Sequence, residues 1–336
     1  MKSSLLYSYQ VEHDDPYSTF AESLEQMMLA EQLGYDTVLV SEHHLVENGY
    51  FPAPVVTCGA IAMRVNRMRI GSGVLLLPLY DPLHVAEHGV IVDAISRGRF
   101  VLGVGYGYRQ EEFDAFGVKL DDRASRMREG VQAIRELWTK PVAHFRGKHF
   151  RYDGVTLRPR PTQSPHPPIW FSAKQRGAVI AAGRFGDAWF ADPITPLSVL
   201  EERMIDYRGA LASCGKPTSG FDFPLMREAY CAETDELAWR EAKDGMLSVY
   251  KEYLDWGHML DDAGNPVPKG DAQALELLRR RFIVGSPETC IREALSYREK
   301  LGVTNLVMRM KFPGVSAERV TNSIRLWGEK VLPELA

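Results

Sequence analysis

Short apolar runs alternate with longer, helix-like segments along almost the whole chain. The runs are four to eight residues long and rich in Val, Ile, Leu and Phe, which is typical of strands buried on both faces. Between them, apolar residues recur three or four positions apart, which predicts helices that pack one face against a sheet. The runs that we interpret as strands span residues 5–9, 37–40, 70–77, 100–104, 167–173, 187–191, 224–231 and 305–310.

About eight strand–helix units in one chain predict an α/β protein with a (β/α)8 TIM-type barrel. Helix-boundary residues support the pattern: Asp81 precedes Pro82, Ser286 precedes Pro287, and Gly302 follows the last helical turn. A doubly wound open sheet is the alternative. We favour the barrel because the first strand is not followed by the G-x-G-x-x-G turn with which such sheets bind dinucleotides.

We predict a single domain over residues 1–336 that carries two insertions in the barrel. Residues 142–160 alternate polar and apolar side chains, as a β-hairpin does. Residues 245–282, after the seventh strand, include a long excursion that contains Gly264, Pro266 and Pro268. Loops of this length in a compact domain commonly act as lids or binding loops, so we expect a lid-like segment there.

The composition narrows the class of protein. Hydrophobic residues make up 45% and charged residues 25% of the chain, and the net charge of −4 provides no attraction for nucleic acid or an anionic membrane. The four cysteines are far apart and form no C-x-x-C pair, which is typical of reduced thiols. The first residues lack the apolar run of a signal peptide. We therefore expect a cytoplasmic protein.

The second predicted strand ends in ionisable residues. It reads VLVSEHH, with Glu42, His43 and His44 at its end, and a Gly/Pro-containing loop follows. In a barrel this end of a strand lies at the active-site mouth. Because adjacent residues of an extended chain point to opposite sides, only one of the two histidines can readily face the barrel axis. An imidazole there can exchange a proton near neutral pH.

A zinc site is an alternative use of histidine in this chain. HVAEH matches the inverted zinc-protease motif and places His84 and His88 one helical turn apart. The segment is predicted to be a helix on the outside of the barrel, where the sequence indicates no third ligand. We therefore expect no metal and interpret the segment as an amphipathic helix that faces a loop or a second subunit.

Two segments suit a flat or anionic ligand. Glycines 103, 105 and 107 surround the end of the fourth strand, where their missing side chains permit close approach of a ligand, although glycines also mark tight packing. The segment SAKQRGA, after the fifth strand, offers backbone N–H groups at a helix N-terminus beside Lys174 and Arg176. It predicts either a phosphate site or an ordinary helix start with solvated basic residues.

Taken together, these segments resemble the luciferase-like flavin monooxygenases. The resemblance covers most of the chain and depends on the order and spacing of several stretches: VLVSEHH, RIGSGVLLLPLYDPLHVAE, DAISRGRFVLGVGYGYRQEEFDAFG, RPRPTQSPHPPIWFSAK and VGSPETCIREALSYREKLGVTNLVMRM. It implies a TIM-type barrel that binds reduced flavin mononucleotide (FMN), supplied by a separate flavin reductase, at its C-terminal mouth.

The resemblance also implies roles for individual residues. His43 would be the catalytic histidine, with Glu42 and His44 as its neighbours. The flavin would lie over the third strand, where the family has a cis peptide that here falls at Gly73–Val74. The implied cofactor contacts are Gly73, Val74, Leu75, Tyr106, Gly107, Tyr108, Lys174, Gln175, Arg176 and Gly177. The chain departs from bacterial luciferase at Gly105, which replaces a reactive cysteine, and at Tyr106, which replaces its neighbouring arginine.

These features predict an enzyme that uses reduced FMN and O2 to oxygenate a small, largely apolar organic substrate. The alternatives are a deazaflavin-dependent oxidoreductase of the same superfamily, a flavin-binding protein without catalysis, and a zinc hydrolase that uses His84 and His88. In this family two barrels commonly pair through the early helices, and so we also expect a homodimer.

Overall fold

Nine parallel strands form one curled sheet whose strand order largely follows the chain. The computed structural model describes residues 1–10, 15–47, 49–255, 261, 267, 276–277 and 279–336. Across the sheet the order is β10-β9-β11-β1-β2-β3-β4-β7-β8. The strands are β1 (Lys2–Tyr7), β2 (Thr37–Val40), β3 (Arg69–Ser72), β4 (Phe100–Val104), β7 (Ile169–Ser172), β8 (Ala188–Phe190), β9 (Pro224–Cys231), β10 (Ile283–Gly285) and β11 (Asn305–Arg309).

The sheet closes on itself between β8 and β9. Ala191, directly after β8, donates its N–H to the carbonyl of Pro224 at 3.0 Å and accepts the N–H of Met226 at 2.9 Å. β10, which the sequence did not predict, pairs with the last residues of β9, beyond the part of β9 that pairs with β11. The other eight strands form the barrel, and the predicted fold class is confirmed.

Helices cover the outside of the barrel. Asp81 and Ser286 accept backbone N–H groups at the starts of their helices, and Gly302 ends its helix with a φ of +74°. No helix in the described ranges is both long enough and apolar enough to cross a membrane. The helices are α1 (Pro16–Leu33), α2 (Pro54–Ala62), α3 (Pro82–Ile95), α4 (Gln110–Ala115), α5 (Arg123–Thr139), α6 (Arg176–Phe185), α7 (Leu197–Ser213), α8 (Asp235–Asp255), α9 (Pro287–Leu301) and α10 (Ala317–Leu326).

Two layers of apolar side chains hold the barrel together. The larger layer lies between the sheet and the surrounding helices. The smaller one fills the barrel interior, because residues of one strand alternate between the two faces of the sheet. Its members are Leu6, Leu39, Val101, Trp170, Ala188, Phe190, Met226 and Val307.

The third strand is shorter than its apolar run predicts. β3 ends at Ser72, and the chain then turns through a cis peptide at Gly73–Val74 into a short 3-10 helix, Leu77–Leu79. The side chains of Leu75, Leu76 and Leu77 are all buried. The apolar run of residues 70–77 therefore indicates burial at every position except half-buried Val74, but strand structure only at its start.

The two predicted insertions are described to different extents. Strands β5 (Ala143–Arg146) and β6 (Arg151–Val155) pair as an antiparallel hairpin within residues 142–160. The predicted lid-like segment, residues 245–282, begins with the last turns of α8, and most of the remainder lies outside the described residues. Its role as a lid stays a prediction.

Candidate active site

A cavity of about 260 Å³ opens at the C-terminal ends of the barrel strands. This is the end of a TIM barrel at which catalytic sites are built. Its walls are mainly apolar and aromatic, and they include segments that follow β2, β3, β4, β7 and β8. The predicted site residues that line it are Glu42, His43, Gly73, Val74, Tyr106, Gly107, Tyr108 and Lys174.

His43 reaches the cavity and is held by a buried carboxylate. Its Nδ1 lies 2.9 Å from Oε1 of Glu112, and its Nε2 lies 3.4 Å from the hydroxyl of Tyr108. Burial raises the pKa of Tyr108 well above its ordinary value, so the phenol is protonated at neutral pH. With Glu112 ionised, the Nδ1–H of His43 donates to the carboxylate, and Nε2 is the nitrogen that can accept a proton.

Glu112, on the short helix α4, was not predicted as a site residue. The same Oε1 also accepts the backbone N–H of His44 at 2.9 Å and lies 3.5 Å from the guanidinium of Arg109. Burial acts to raise the pKa of Glu112, but the hydrogen bond and charge of His43, the N–H of His44 and the charge of Arg109 together lower it. The side chain is therefore a carboxylate at neutral pH. One sequence signal could have identified it: Glu112 is an acidic residue in the first turn of the helix that follows the fourth strand.

The second histidine of the pair faces away from the cavity. Nε2 of His44 lies 2.8 Å from Oε1 of Glu42, and its ring packs edge-on against Phe116. Glu42 also accepts the hydroxyl of Tyr80 and, at 2.6 Å, the backbone N–H of Leu76. These contacts join the end of β2 to the segment after β3 and leave His43 as the histidine on the cavity side.

The cis peptide and the neighbouring glycine shape one wall of the cavity. The bond between Gly73 and Val74 is cis, as the resemblance implies, and Val74 faces Gly105. A Cβ at position 105 would lie 2.4 Å from Cγ2 of Val74, which accounts for glycine at this position. Leu75, a predicted cofactor contact, is buried in the core and does not line the cavity.

The predicted phosphate segment reaches the cavity with one side chain. Lys174 lines it, and burial lowers the pKa of its ammonium group more than nearby Asp192 raises it. Gln175, Arg176 and Gly177 are exposed outside the lining, and Arg176 forms an ion pair with Asp206 at 2.9 Å. The N-cap residue of α6, Gln175, makes no side-chain hydrogen bond to the first turn, which begins at Arg176.

A buried ion pair that sequence reasoning missed borders the cavity on the side of β9 and β11. Nε of Arg309 lies 2.8 Å from Oε2 of Glu228, and Nη2 of Arg309 donates to the other carboxylate oxygen. The hydroxyl of Tyr250 donates to the same carboxylate at 2.8 Å. Arg309 itself lines the cavity. Both strands were predicted from the sequence, but only their pairing, which places Arg309 opposite Glu228, brings these charges together.

The zinc alternative has no support in the described part of the chain. His84 and His88 lie on the outer helix α3 with their ring centroids 6.1 Å apart, away from the cavity. Among the described residues, no group of three His, Cys, Asp or Glu side chains is placed to hold a metal ion.

Comparison with known proteins links this geometry to a family. The family model described as luciferase-like monooxygenase matches residues 1–305. The crystal structure of monooxygenase RslO1 from Streptomyces bottropensis is 27% identical, with a TM-score of 0.89 and coverage of 100% of both chains.

Curated relatives fall into two chemical groups. The oxygenase component of a flavin-dependent trigonelline monooxygenase from Acinetobacter baylyi is 24% identical over 91% of this chain and 89% of its own. An F420-dependent glucose-6-phosphate dehydrogenase from Segniliparus rotundus is 28% identical over 85% of this chain and 87% of its own. Monooxygenases and deazaflavin-dependent oxidoreductases are thus both among the relatives. The chain belongs to the luciferase-like monooxygenase family.

Proposed function

We propose that the protein is a flavin-dependent monooxygenase that uses reduced FMN and O2 to oxygenate a small organic substrate. The observation that carries the proposal is the cavity-facing imidazole of His43, held by the buried carboxylate of Glu112 at 2.9 Å. The whole-length similarity to a monooxygenase structure supports oxygen chemistry. Because one curated relative is an oxygenase component, we also propose that a separate reductase supplies the reduced flavin.

The cavity fits a flavin by shape and by its polar groups. Gly73, Val74 and Gly105 form a wall with little side-chain bulk, against which a flat ring can pack. Tyr106 lies beside this wall, and the hydroxyl of Ser41 is buried at the cavity without a partner among the described residues. Lys174 and the uncapped start of α6 suit the phosphate. Bound reduced FMN would supply the electrons that activate O2.

His43 would move the proton that the reaction requires. Nε2 can accept a proton from the substrate or return one, while the carboxylate of Glu112 stabilises the imidazolium and holds the ring in place. The apolar and aromatic walls limit the access of water to the reacting groups. These are the contributions of the protein, whereas the oxidation itself belongs to the flavin.

A deazaflavin-dependent oxidoreductase is the second candidate, because an F420-dependent enzyme is among the relatives. Titration with FMN and with F420, followed by fluorescence, compares the two affinities. Incubation of the protein with reduced FMN, candidate substrates and ¹⁸O2 should then place one labelled oxygen in the product. Tight binding of F420 with hydride transfer and no labelled product would favour the second candidate. Flavin binding without any turnover would indicate a binding protein.

Lys174→Met should weaken the binding of FMN about tenfold while leaving the binding of riboflavin, which lacks the phosphate, nearly unchanged. A half-buried ammonium group makes a charge-assisted contact with a phosphate of about this strength. Fluorescence titration with both flavins measures the effect. Arg176→Ala is the matched control and should have a smaller effect, because the side chain of Arg176 is 70% exposed and is already paired with Asp206. Equal losses for both flavins would contradict this placement.

Light scattering at micromolar concentration should report a homodimer, with twice the 37.9 kDa of one chain. Apolar side chains are exposed on α2 and α3 at Val56, Ile91 and Ile95, and directly after α2 at Met63, and such patches mark protein interfaces. Ile91→Glu should therefore shift the mass toward one chain. Ile205→Glu, at an exposed apolar residue on α7, is the control and should leave it unchanged. A one-chain mass for the unaltered protein would refute the dimer.

A further inference from the structure

Arg309 is a charged residue of the candidate site that has no role in the reaction proposed above. It ends β11, lines the cavity, and is 2% exposed. The groups proposed to hold the flavin follow β3, β4 and β7, whereas Arg309 lies next to β1, beside Leu6 and Met226. This side of the cavity is therefore available to a substrate. A buried guanidinium there needs a functional or a structural reason.

The hydrogen bonds of Arg309 leave one end of the guanidinium without an acceptor. Nε and Nη2 both donate to Glu228. Among the described residues, none is hydrogen-bonded to Nη1, the remaining nitrogen, and the residue lines the cavity. Because Nη1 is not among the fully enclosed polar atoms that lack a partner, it is open to the cavity and can donate to a molecule bound there.

The charge of this guanidinium is already compensated. Glu228 is fully buried, and it receives both guanidinium bonds and the hydroxyl of Tyr250. Attraction to Glu228 raises the pKa of Arg309 above its ordinary value despite burial, so the guanidinium keeps its positive charge beside the carboxylate. The pair presents an N–H donor to the cavity but no net charge. An anion that bound there would lose its hydration without gaining an opposite net charge.

The surroundings of Arg309 suit the apolar part of a ligand. Met226, Leu6 and Phe190 lie along the barrel interior, and Tyr50 and Tyr253 also line the cavity. Four acidic or basic side chains of the described residues line the cavity besides Arg309: His43 is bonded to Glu112, Glu42 is bonded to His44 and Tyr80, and Lys174 and Asp192 interact with each other. Arg309 is thus the strong donor on the face of the cavity formed by β9, β11 and β1.

We infer that Arg309 is a specificity-determining residue that donates a hydrogen bond to a neutral carbonyl oxygen of the substrate, while Glu228 selects against carboxylates. The substrate class is a neutral carbonyl compound with an apolar or aromatic body, such as a ketone, quinone or ester. This inference depends on the proposed function only in taking the cavity as the substrate site. It adds a polar anchor to a substrate that the sequence predicted as largely apolar.

Three probes of similar shape test the inference by calorimetric titration of the purified protein, with and without saturating FMN. Acetophenone carries the carbonyl group, ethylbenzene lacks oxygen, and benzoate carries a negative charge. The unaltered protein should bind acetophenone most tightly. Arg309→Met should weaken acetophenone binding about tenfold and leave ethylbenzene binding within about twofold, because ethylbenzene has no acceptor for the guanidinium. Thermal unfolding of the variant reports separately the cost of leaving Glu228 without its partner. Equal binding of all three probes by the unaltered protein would overturn the inference.

Glu228→Gln provides the sharper test, since it leaves Arg309 in place with an uncompensated positive charge. Benzoate should then gain about tenfold in affinity relative to acetophenone. Arg319→Met is the matched control, because Arg319 forms an ion pair with Glu241 at the outer surface, at 3.3 Å, and its loss should change no probe. Unchanged selectivity in Glu228→Gln would contradict the role given to the ion pair.

A measurement on the unaltered protein covers the case in which these variants do not fold. The infrared carbonyl band of bound ¹³C-labelled acetophenone should lie below its position in an apolar solvent, because a hydrogen bond to a guanidinium weakens the C=O bond. A band at the apolar-solvent position would overturn the inference. If the protein selects carbonyl probes but shows no flavin turnover, the proposed function alone is refuted. If it incorporates ¹⁸O but Arg309→Met leaves probe binding unchanged, this inference alone is refuted.

Discussion

His43→Ala is expected to lower turnover by about 10²–10⁴-fold, the usual effect of removing a general acid or base. The imidazole faces the cavity through Nε2 and is bonded through Nδ1 to Glu112, so its loss removes the proton carrier and leaves the walls intact. Flavin affinity should change by no more than about threefold, because Lys174 and the wall at Gly73 and Gly105 remain. Steady-state turnover and fluorescence titration of FMN measure the two quantities.

The adjacent histidine is the matched comparison for this prediction. His44→Ala removes a ring that bonds Glu42 and packs on Phe116 outside the cavity, so it should cost much less in turnover than His43→Ala. Thermal unfolding of both variants separates a catalytic effect from a loss of structure. His84→Ala, on the outer surface of α3 and away from the cavity, should leave turnover and flavin affinity unchanged. Normal turnover in His43→Ala with a crippled His44→Ala would show that the assignment is reversed.

Glu112→Gln should lower turnover on the order of 10²-fold with a smaller change in flavin affinity. The substitution keeps the shape and one acceptor oxygen of the side chain but removes the charge that stabilises a protonated His43. Because Glu112 acts through His43, it is a positioning residue, and the double variant with His43→Ala should be little worse than His43→Ala alone. Additive losses in the double variant would contradict a shared role.

The pH dependence of stability gives an independent test of Glu112. Its pKa is lower in the folded protein than in the unfolded chain, so its charge stabilises the fold above about pH 4.3, the ordinary value for glutamate. That contribution is lost as the pH falls through the folded value. The free energy of unfolding should therefore differ most between Glu112→Gln and the unaltered protein at neutral pH, and the difference should shrink in acid. Glu111→Gln, at the exposed neighbouring position, should show no such trend.

Much of the architecture could be predicted because its determinants are local in sequence. Residues such as Asp81, Ser286 and Gly302 determine helix ends through bonds to the nearest turn, and the structure shows them in those roles. The alternation of apolar runs and helical segments is enough to indicate eight barrel strands. The extra strand β10 could not be predicted, because its three residues, Ile283–Gly285, form a strand only by pairing with the end of β9.

The apolar run at residues 70–77 shows where local reasoning stops. Burial in a strand and burial in an irregular segment select the same side chains, so the run could not reveal that β3 ends at Ser72. Likewise, the basic segment 174–177 had the composition of an anion site throughout. Only the direction of each side chain in the folded protein separates Lys174, at the cavity, from Arg176, which is paired with Asp206.

The sequence by itself determined the family, the barrel and the placement of His43 at the end of a buried strand, since these depend on short stretches and their order. The tertiary structure decided which residues pair with the side chains of the candidate site. Glu112 is 69 residues from His43, and Glu228 is 81 residues from Arg309. Such pairs form only when strands distant in sequence become neighbours around a closed barrel, and burial then makes each charge require the other. For this reason His43 could be predicted from the sequence, whereas its partner Glu112 and the Glu228–Arg309 pair could be identified only in the folded structure.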